Sequence, residues 1–150
     1  MNLDKLREEL AEDEGCKYEI YLDHLGLPTM GIGHLITKDD PEYGKDVGTV
    51  IEQSRVQSAF NLDIAVTIED CHRLYKDFDD LPEEAQLIIA NMMFNLGYPR
   101  LSKFKGMKAG VDSRSWSSAA DEMVDSRWYT QVPNRARRLV DRMRQLENDA

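Results

Sequence analysis

Apolar side chains recur every three or four residues in five segments of the chain, which predicts five helices. In the first segment Asn2 can cap the start, and Gly15 can end the helix near Glu14 in a left-handed conformation. The third segment is apolar almost throughout and closes at Gly97, so we expect a buried central helix. The predicted helices span about residues 3–14, 54–75, 82–96, 115–125 and 133–147.

The apolar spacing changes from helical to alternating between Lys17 and Lys38. The stretch KYEIYL alternates in the manner of a strand, DHLG supplies a turn, and TMGIGHLIT is a second strand loosened by two glycines. We therefore expect a hairpin, with room for a third short strand. Together with the helices, this hairpin predicts an α+β fold.

The predicted fold has two lobes, a small sheet lobe and a larger helical lobe, joined by one long helix. The sheet lobe takes about residues 15–53, the joining helix about 54–76, and the helical lobe about 1–14 and 77–150. A chain of 150 residues is long enough for one domain with a substantial core. We therefore expect one domain rather than two independent ones.

The charge and the hydropathy exclude two classes of partner. The chain has 28 acidic and 19 basic residues, a net charge of −9, whereas nonspecific nucleic-acid binding requires an excess of positive charge. No apolar run approaches the ~20 residues of a membrane span, and the start MNLDKLREEL is charged where a signal peptide would be apolar. We expect no nucleic-acid partner, no membrane insertion, and synthesis in the cytosol without an export signal.

The cysteines and histidines do not form a pattern typical of a metal site. Cys16 and Cys71 permit a single disulfide, but one pair without extracellular context favours free thiols. His34 forms no ligand-spaced cluster with His24 and His72, so we expect no metal.

Two acidic residues near the start of the chain are predicted to have the unequal environments that hydrolysis of a glycosidic bond requires. Glu14 is predicted in the last turn of the first helix, where the helix dipole and burial between the lobes disfavour its ionised form. A carboxyl that stays protonated is what a general acid needs. Asp23, in the hairpin turn, should be solvated and ionised, and the Thr29 hydroxyl is placed to help hold a water beside it.

Two glycines on the returning strand, Gly31 and Gly33, would let a sugar chain approach the backbone closely. Spacing alone does not separate this hypothesis from its alternative, because acidic residues in most proteins are solvated surface groups.

The segment DEGCKYEIYLDHLGLPTMGIGHLITK resembles the active-site segment of the phage-type lysozymes, glycoside hydrolase family 24. The family pattern is Glu-Gly, then Tyr-x-Asp, then Thr-x-Gly-x-Gly-His. Glu14-Gly15, the run from Tyr21 to Asp23 and the run from Thr29 to His34 match this pattern without a gap. Further matches in AFNLD, NMMFNLG and SRWYTQVPNRARR extend the resemblance over most of the chain.

The resemblance implies a muramidase that needs no cofactor and cleaves the β-1,4 bond between N-acetylmuramic acid and N-acetylglucosamine in peptidoglycan. Glu14 would be the general acid, Asp23 the partner carboxylate and Thr29 the residue that positions water. The configuration at the sugar would be inverted, which requires about 6.5–9.5 Å between the carboxyls.

The resemblance also implies supporting and substrate-binding roles. Arg135 would pair with the catalytic glutamate, the alternative being a plain surface arginine. His34 and Asp63 would form a structural salt bridge. Leu35 and Phe94 match positions that line the sugar-binding cleft, although both are also compatible with an ordinary core.

Four further residues either differ from the family at a cleft position or have two possible roles. Met107 and Glu122 fall at two other cleft positions of the T-even member of the family, where the residue type differs. Trp116 and Trp128 suggest sugar platforms, but tryptophans at helical spacing are more often core residues.

The implied setting is host cell lysis by a monomer. The chain would be made in the host cytoplasm and would reach the wall after a separate protein permeabilises the membrane. Its acidity, unlike the basic T-even member, predicts absent or reversed attraction to a polyanionic wall. Two alternatives stay open: a wall-binding or tail-associated module with little catalysis, and a lytic transglycosylase that forms a 1,6-anhydro product. The intact set Glu14, Asp23 and Thr29 favours hydrolysis.

Overall fold

The structure is a computed structural model that describes residues 1–149. Within these residues it contains eight α-helices, one 3-10 turn at Phe78–Asp80 and one small sheet, which confirms the predicted α+β class. The strands are β1 (Lys17–Leu22), β2 (Pro28–Gly31) and β3 (His34–Leu35). The helices are α1 (Leu3–Glu14), α2 (Gln53–Leu74), α3 (Glu83–Leu96), α4 (Tyr98–Leu101), α5 (Lys105–Asp112), α6 (Trp116–Val124), α7 (Arg127–Gln131) and α8 (Pro133–Asp149).

The chain divides into two compact units, with the boundary inside α2. The amino-terminal unit is Leu3–Val66, and the carboxy-terminal unit comprises residues 1–2 and the chain from Thr67 onwards. The predicted helical lobe includes residues 1–14, whereas α1 belongs here to the unit that contains the sheet. Two contacts join α1 to the rest of this unit: the Arg7 guanidinium stacks 5.0 Å from the centre of the Phe60 ring on α2, and the Glu14 side chain packs against Gly33 in the turn between β2 and β3.

The sheet of the amino-terminal unit is antiparallel, in the order β1-β2-β3. Tyr21 pairs with Thr29, which pairs in turn with Leu35, so these three residues share one face of the sheet. Apolar side chains from α1, the sheet and the first half of α2 form the core of this unit: Leu6, Leu10, Ile20, Met30, Val56 and Phe60.

The second predicted strand is divided in two by a tight turn. Met30 pairs with His34; β2 ends at Gly31, and Ile32 and Gly33 form the connection to β3. Both glycines have positive φ, +62° and +64°, a conformation that other residues rarely adopt. The hairpin therefore continues into the short third strand for which the sequence left room.

The carboxy-terminal unit is built around α3, in which every residue from Ala85 to Met93 is buried. Helix α3 ends at Gly97, as predicted. Helices α5 and α6 approach closely at Gly110, where a Cβ would lie 2.7 Å from the backbone nitrogen of Ala119. Trp116 and Trp128 are buried, which confirms them as core residues. Within residues 1–149, no helix has the length and apolar character needed to cross a membrane.

Candidate active site

Glu14 is the last residue of α1, and its carboxyl rests on the turn between β2 and β3. The helix ends here because Gly15 takes a φ of +73° while its N–H still bonds the Ala11 carbonyl. A Cβ added to Gly33 would lie 2.6 Å from Oε1 of Glu14. The space beside the bare backbone of Gly33 is therefore filled by the Glu14 side chain, as that beside Gly31 is filled by Val56.

Asp23 is held in the turn between β1 and β2 by one of its two carboxylate oxygens. Its Oδ1 accepts hydrogen bonds from the backbone N–H groups of Leu25 and Leu27, at 2.8 and 2.9 Å. Its Oδ2 makes no hydrogen bond to any residue of the range 1–149. The turn thus orients the carboxylate and leaves one oxygen for a water or a ligand.

Thr29 is buried on β2, and its hydroxyl hydrogen is already committed. Oγ1 donates to the Leu27 carbonyl at 2.9 Å, and the same carbonyl accepts from the Asp23 N–H at 3.0 Å. Thr29 and Asp23 are consequently joined through one peptide segment. The lone pairs of Oγ1 remain available to accept a hydrogen bond from water.

Tyr21 shares a sheet face with Thr29, and its pKa is affected by the charges of Glu14 and Asp23. Burial, followed by the negative charge of Glu14, raises the pKa of the Tyr21 phenol, and an interaction with the Gly33 N–H opposes this rise. Tyr21 is therefore a neutral phenol at neutral pH, next to the carboxyl of Glu14.

His34 lies between two carboxylates rather than beside one. Its Nδ1 is 2.7 Å from Oδ2 of Asp63, the predicted partner on α2, and its Nε2 is 2.9 Å from Oδ2 of Asp40. Arg55 extends this network, because it bonds the other oxygen of Asp40 at 3.1 Å and Glu42 at 2.9 Å. The network ties β3 and the loop after it to the first half of α2.

The charges in this network stabilise one another. Hydrogen bonding to Asp63 raises the pKa of His34, although burial acts in the opposite direction. Burial acts to raise the pKa of Asp40, but bonds from the Thr37 N–H and from His34 outweigh it and leave that pKa lowered. The hydrogen bond from Arg55 lowers the pKa of Glu42.

The structure brings six of the predicted site residues into the amino-terminal unit and leaves two in the other. The first group is Glu14, Asp23, Thr29, His34, Leu35 and Asp63. Leu35 is 46% exposed, so it is a surface residue and not part of the core.

Phe94 and Arg135 belong to the carboxy-terminal unit. Phe94 is partly exposed on α3. Arg135 is buried, and its Nε donates to Oδ1 of Asn91 at 2.8 Å, which excludes the alternative of a plain surface arginine. A terminal guanidinium nitrogen of Arg135 also donates to the Asn91 carbonyl at 3.4 Å.

The two substituted cleft positions have ordinary packing roles in this unit. Met107 is buried in α5. The Glu122 carboxyl lies over Gly106, where a Cβ would be 2.5 Å from Oε2.

Three features of these surroundings do not follow from the sequence. Asp40, Asn91 and the contact of Gly33 with Glu14 depend on distances between separate segments, which spacing along the chain does not reveal. The single available signal was the placement of Gly33 directly before His34 in the motif.

The two cysteines differ in exposure, and neither forms part of a metal site within residues 1–149. Cys16 is an exposed free thiol and Cys71 a buried one. Burial raises the pKa of the Cys71 thiol. Among residues 1–149, no three His, Cys, Asp or Glu side chains are grouped so that they could hold a metal ion.

Comparison with known proteins places the chain in a family. The model of the family described as Phage lysozyme matches residues 11–146. Probable T4-type lysozyme 2 of Dictyostelium discoideum is 34% identical, over 90% of this chain and 91% of its own length.

Two phage proteins are similar over only part of their own length. The pre-baseplate central spike protein Gp5 of Enterobacteria phage T4 is 27% identical over 90% of this chain and 27% of its own length. The peptidoglycan hydrolase gp36 of Pseudomonas phage phiKMV is 26% identical over 91% of this chain and 15% of its own length. The chain therefore belongs to the phage lysozyme family and is a glycoside hydrolase of the lysozyme type that acts on the cell wall.

Proposed function

We propose that the chain hydrolyses the β-1,4 bond between N-acetylmuramic acid and N-acetylglucosamine in peptidoglycan, with Glu14, Asp23 and Thr29 as its catalytic residues. The observation that carries this proposal is the ungapped family motif, whose three candidate side chains all lie in one compact unit. The family match over residues 11–146, which extends well beyond the motif, supports it.

In the proposed reaction the carboxyl of Glu14 gives its proton to the glycosidic oxygen as the bond to the anomeric carbon breaks. A water molecule adds to that carbon and releases a proton to Asp23. The free Oδ2 of Asp23 and the acceptor lone pairs of the Thr29 hydroxyl would hold this water in place. Direct attack by water inverts the configuration of the sugar.

The remaining predicted residues would act around this centre. Leu35 and Phe94 would contact the sugar chain through apolar surface that is still exposed. Arg135 would support the acid, with its guanidinium oriented by Asn91. His34 and Asp63 would hold β3 against α2 without taking part in the chemistry.

The proposed biological role is host cell lysis by a monomeric enzyme that requires no cofactor. The chain would be made in the host cytoplasm and would act on the wall after a separate protein opens the membrane. Support for this role comes from the similar phage proteins, although the relative that matches 90% of this chain and 91% of its own length belongs to a cellular organism, Dictyostelium discoideum.

The test is the clearing of a purified peptidoglycan suspension by the wild type, by Glu14→Gln and by Glu12→Gln, with mass spectrometry of the soluble fragments. Glu12 is an exposed residue of the same helix, so its substitution is matched in charge and chemistry. We expect the wild type and Glu12→Gln to clear the suspension and to release fragments with reducing muramic acid ends. Glu14→Gln should lose at least about 10²-fold in rate, the low end for a general acid.

Each alternative has its own outcome in this experiment. Fragments that end in 1,6-anhydro muramic acid would identify a lytic transglycosylase. A folded wild type that binds the wall without clearing it would identify a binding module. Undiminished activity of Glu14→Gln would remove Glu14 from the role of acid.

A further inference from the structure

The turn between β2 and β3 is fixed to its own unit on two sides. At its start, Gly31 packs against α2 so closely that a Cβ would lie 2.8 Å from Cγ1 of Val56. Just after its end, His34 is paired with Asp63 of α2 at 2.7 Å. The backbone between these two attachments has little freedom to move relative to α2.

Gly33 lies in this turn and meets the Glu14 side chain along most of its length. The position that a Cβ would occupy is 2.6 Å from Oε1, 2.7 Å from Cδ and 2.9 Å from Cγ of Glu14. Contacts this short are not tolerated between real side chains, so any residue with a Cβ at this position would displace the carboxyl. By contrast, Gly44 has a similar φ, +84°, and a Cβ added there would meet nothing within 4 Å.

We infer that Gly33 is a positioning residue, which fixes the place of the Glu14 carboxyl by offering it a bare backbone attached firmly to α2. The inference rests on the proposed function, in which Glu14 is the general acid. An added methyl group would displace the carboxyl, at the end of a flexible side chain, rather than the backbone of the turn, which is attached to α2. The effect should therefore appear in the reaction rate, because a misplacement of about 1 Å can reduce it about 10²-fold.

The test compares Gly33→Ala with Gly44→Ala for kcat and KM on soluble peptidoglycan fragments and for thermal stability. Both substitutions place alanine at a positive φ, so both should lower Tm by a similar amount. We expect kcat to fall about 10²-fold in Gly33→Ala alone, with KM changed by less than about threefold, since substrate contacts remain. Asparagine adopts the left-handed conformation more readily than alanine, so Gly33→Asn replaces Gly33→Ala in this test if the alanine variant does not fold. We expect Gly33→Asn to show the same loss of kcat.

Equal kcat losses in Gly33→Ala and Gly44→Ala, or a wild-type kcat in Gly33→Asn, would overturn the inference. A crystal structure of the variant gives a readout independent of activity, because the Glu14 carboxyl must be displaced from its wild-type position. Failure of the proposed function is distinguishable, since it would appear as an inactive wild type or an active Glu14→Gln in the same assay.

Discussion

Thr29 is distinctive at the residue scale because its hydroxyl bridges to the segment that carries Asp23. Thr29→Val removes the hydroxyl that donates to the Leu27 carbonyl, but this carbonyl still accepts a hydrogen bond from the Asp23 N–H. The free energy of unfolding should therefore fall by no more than about 1.5 kcal/mol. Loss of the acceptor for water should reduce kcat by about 10²-fold or more. Steady-state kinetics with denaturant unfolding measure both quantities.

Thr49→Val is the matched control for this substitution. The Thr49 hydroxyl donates to the Asp46 carbonyl at 2.7 Å in the same unit, but Thr49 has no part in the proposed site. Its variant should lose a similar amount of stability and no activity. Equal losses of kcat in the two variants would contradict a specific role for Thr29.

At the scale of single residues, the sequence indicates candidate catalytic residues but not the contacts that surround them. The spacing of Glu14, Asp23 and Thr29 fits a motif, and a motif can be read along one chain. The contact between Gly33 and Glu14 joins a helix end to a turn, and Asp40 reaches His34 only because the loop folds back. Such contacts depend on tertiary structure, which residue spacing does not encode directly.

The attachment of β3 to α2 through His34 predicts a pH dependence at the scale of elements. The pKa of His34 is raised in the folded protein above its unfolded value of about 6.5. Its protonated form therefore adds stability that is complete below that value and is lost as the pH rises through the raised pKa. We expect the contribution of this group to the free energy of unfolding to fall as the pH rises above about 6.5.

Substitution of His34 isolates this contribution. His34→Gln should be less stable than the wild type at pH 6 by about 1.5–3 kcal/mol, the range for hydrogen bonds to charged groups, and less so at pH 8. His72→Gln is the control, because His72 pairs with Asp79 at 2.8 Å on an exposed surface and should change stability by less than about 1 kcal/mol. An equal pH slope in His34→Gln and the wild type would contradict the prediction.

The elements themselves were predictable where they are long. Helices α1, α2, α3, α6 and α8 have sustained apolar periodicity, and each lies within about two residues of its predicted bounds. Helices α4, α5 and α7 were missed. They have four to eight residues, and α5 carries two glycines, so their apolar pattern is too short or too weak to predict a helix.

The net charge of the whole molecule, −9, predicts that salt assists the enzyme. Peptidoglycan carries carboxylates, so the protein and the wall repel one another at low ionic strength. The screening length shortens to about 10 Å at 0.1 M salt, which weakens this repulsion. We expect the clearing rate to rise between about 0.01 M and 0.1 M salt, through a lower apparent KM rather than a higher kcat.

Peptidoglycan with amidated carboxylates is the control for the effect of salt. Clearing of this neutral substrate should respond less to salt, while the stability of the enzyme is followed at each concentration. A clearing rate that falls with salt would instead indicate local attraction between the wall and basic residues of the chain.

Grouping of elements into units was the least predictable feature at this scale. Periodicity identifies α1 as a helix but does not say which neighbours it contacts. The packing of Arg7 on Phe60 and of Glu14 on Gly33 places α1 in the unit that contains the sheet, although the sequence offers no separate indication of these pairs.

The different exposure of the two thiols should allow the wild-type chain to be labelled selectively at one cysteine. Cys16 is exposed two residues after Glu14, whereas Cys71 is buried and its pKa is raised by burial. Because the thiolate is the reactive form, an alkylating reagent at neutral pH should modify Cys16 and spare Cys71. A fluorophore attached there would report on the neighbourhood of the candidate acid without any mutation of the protein.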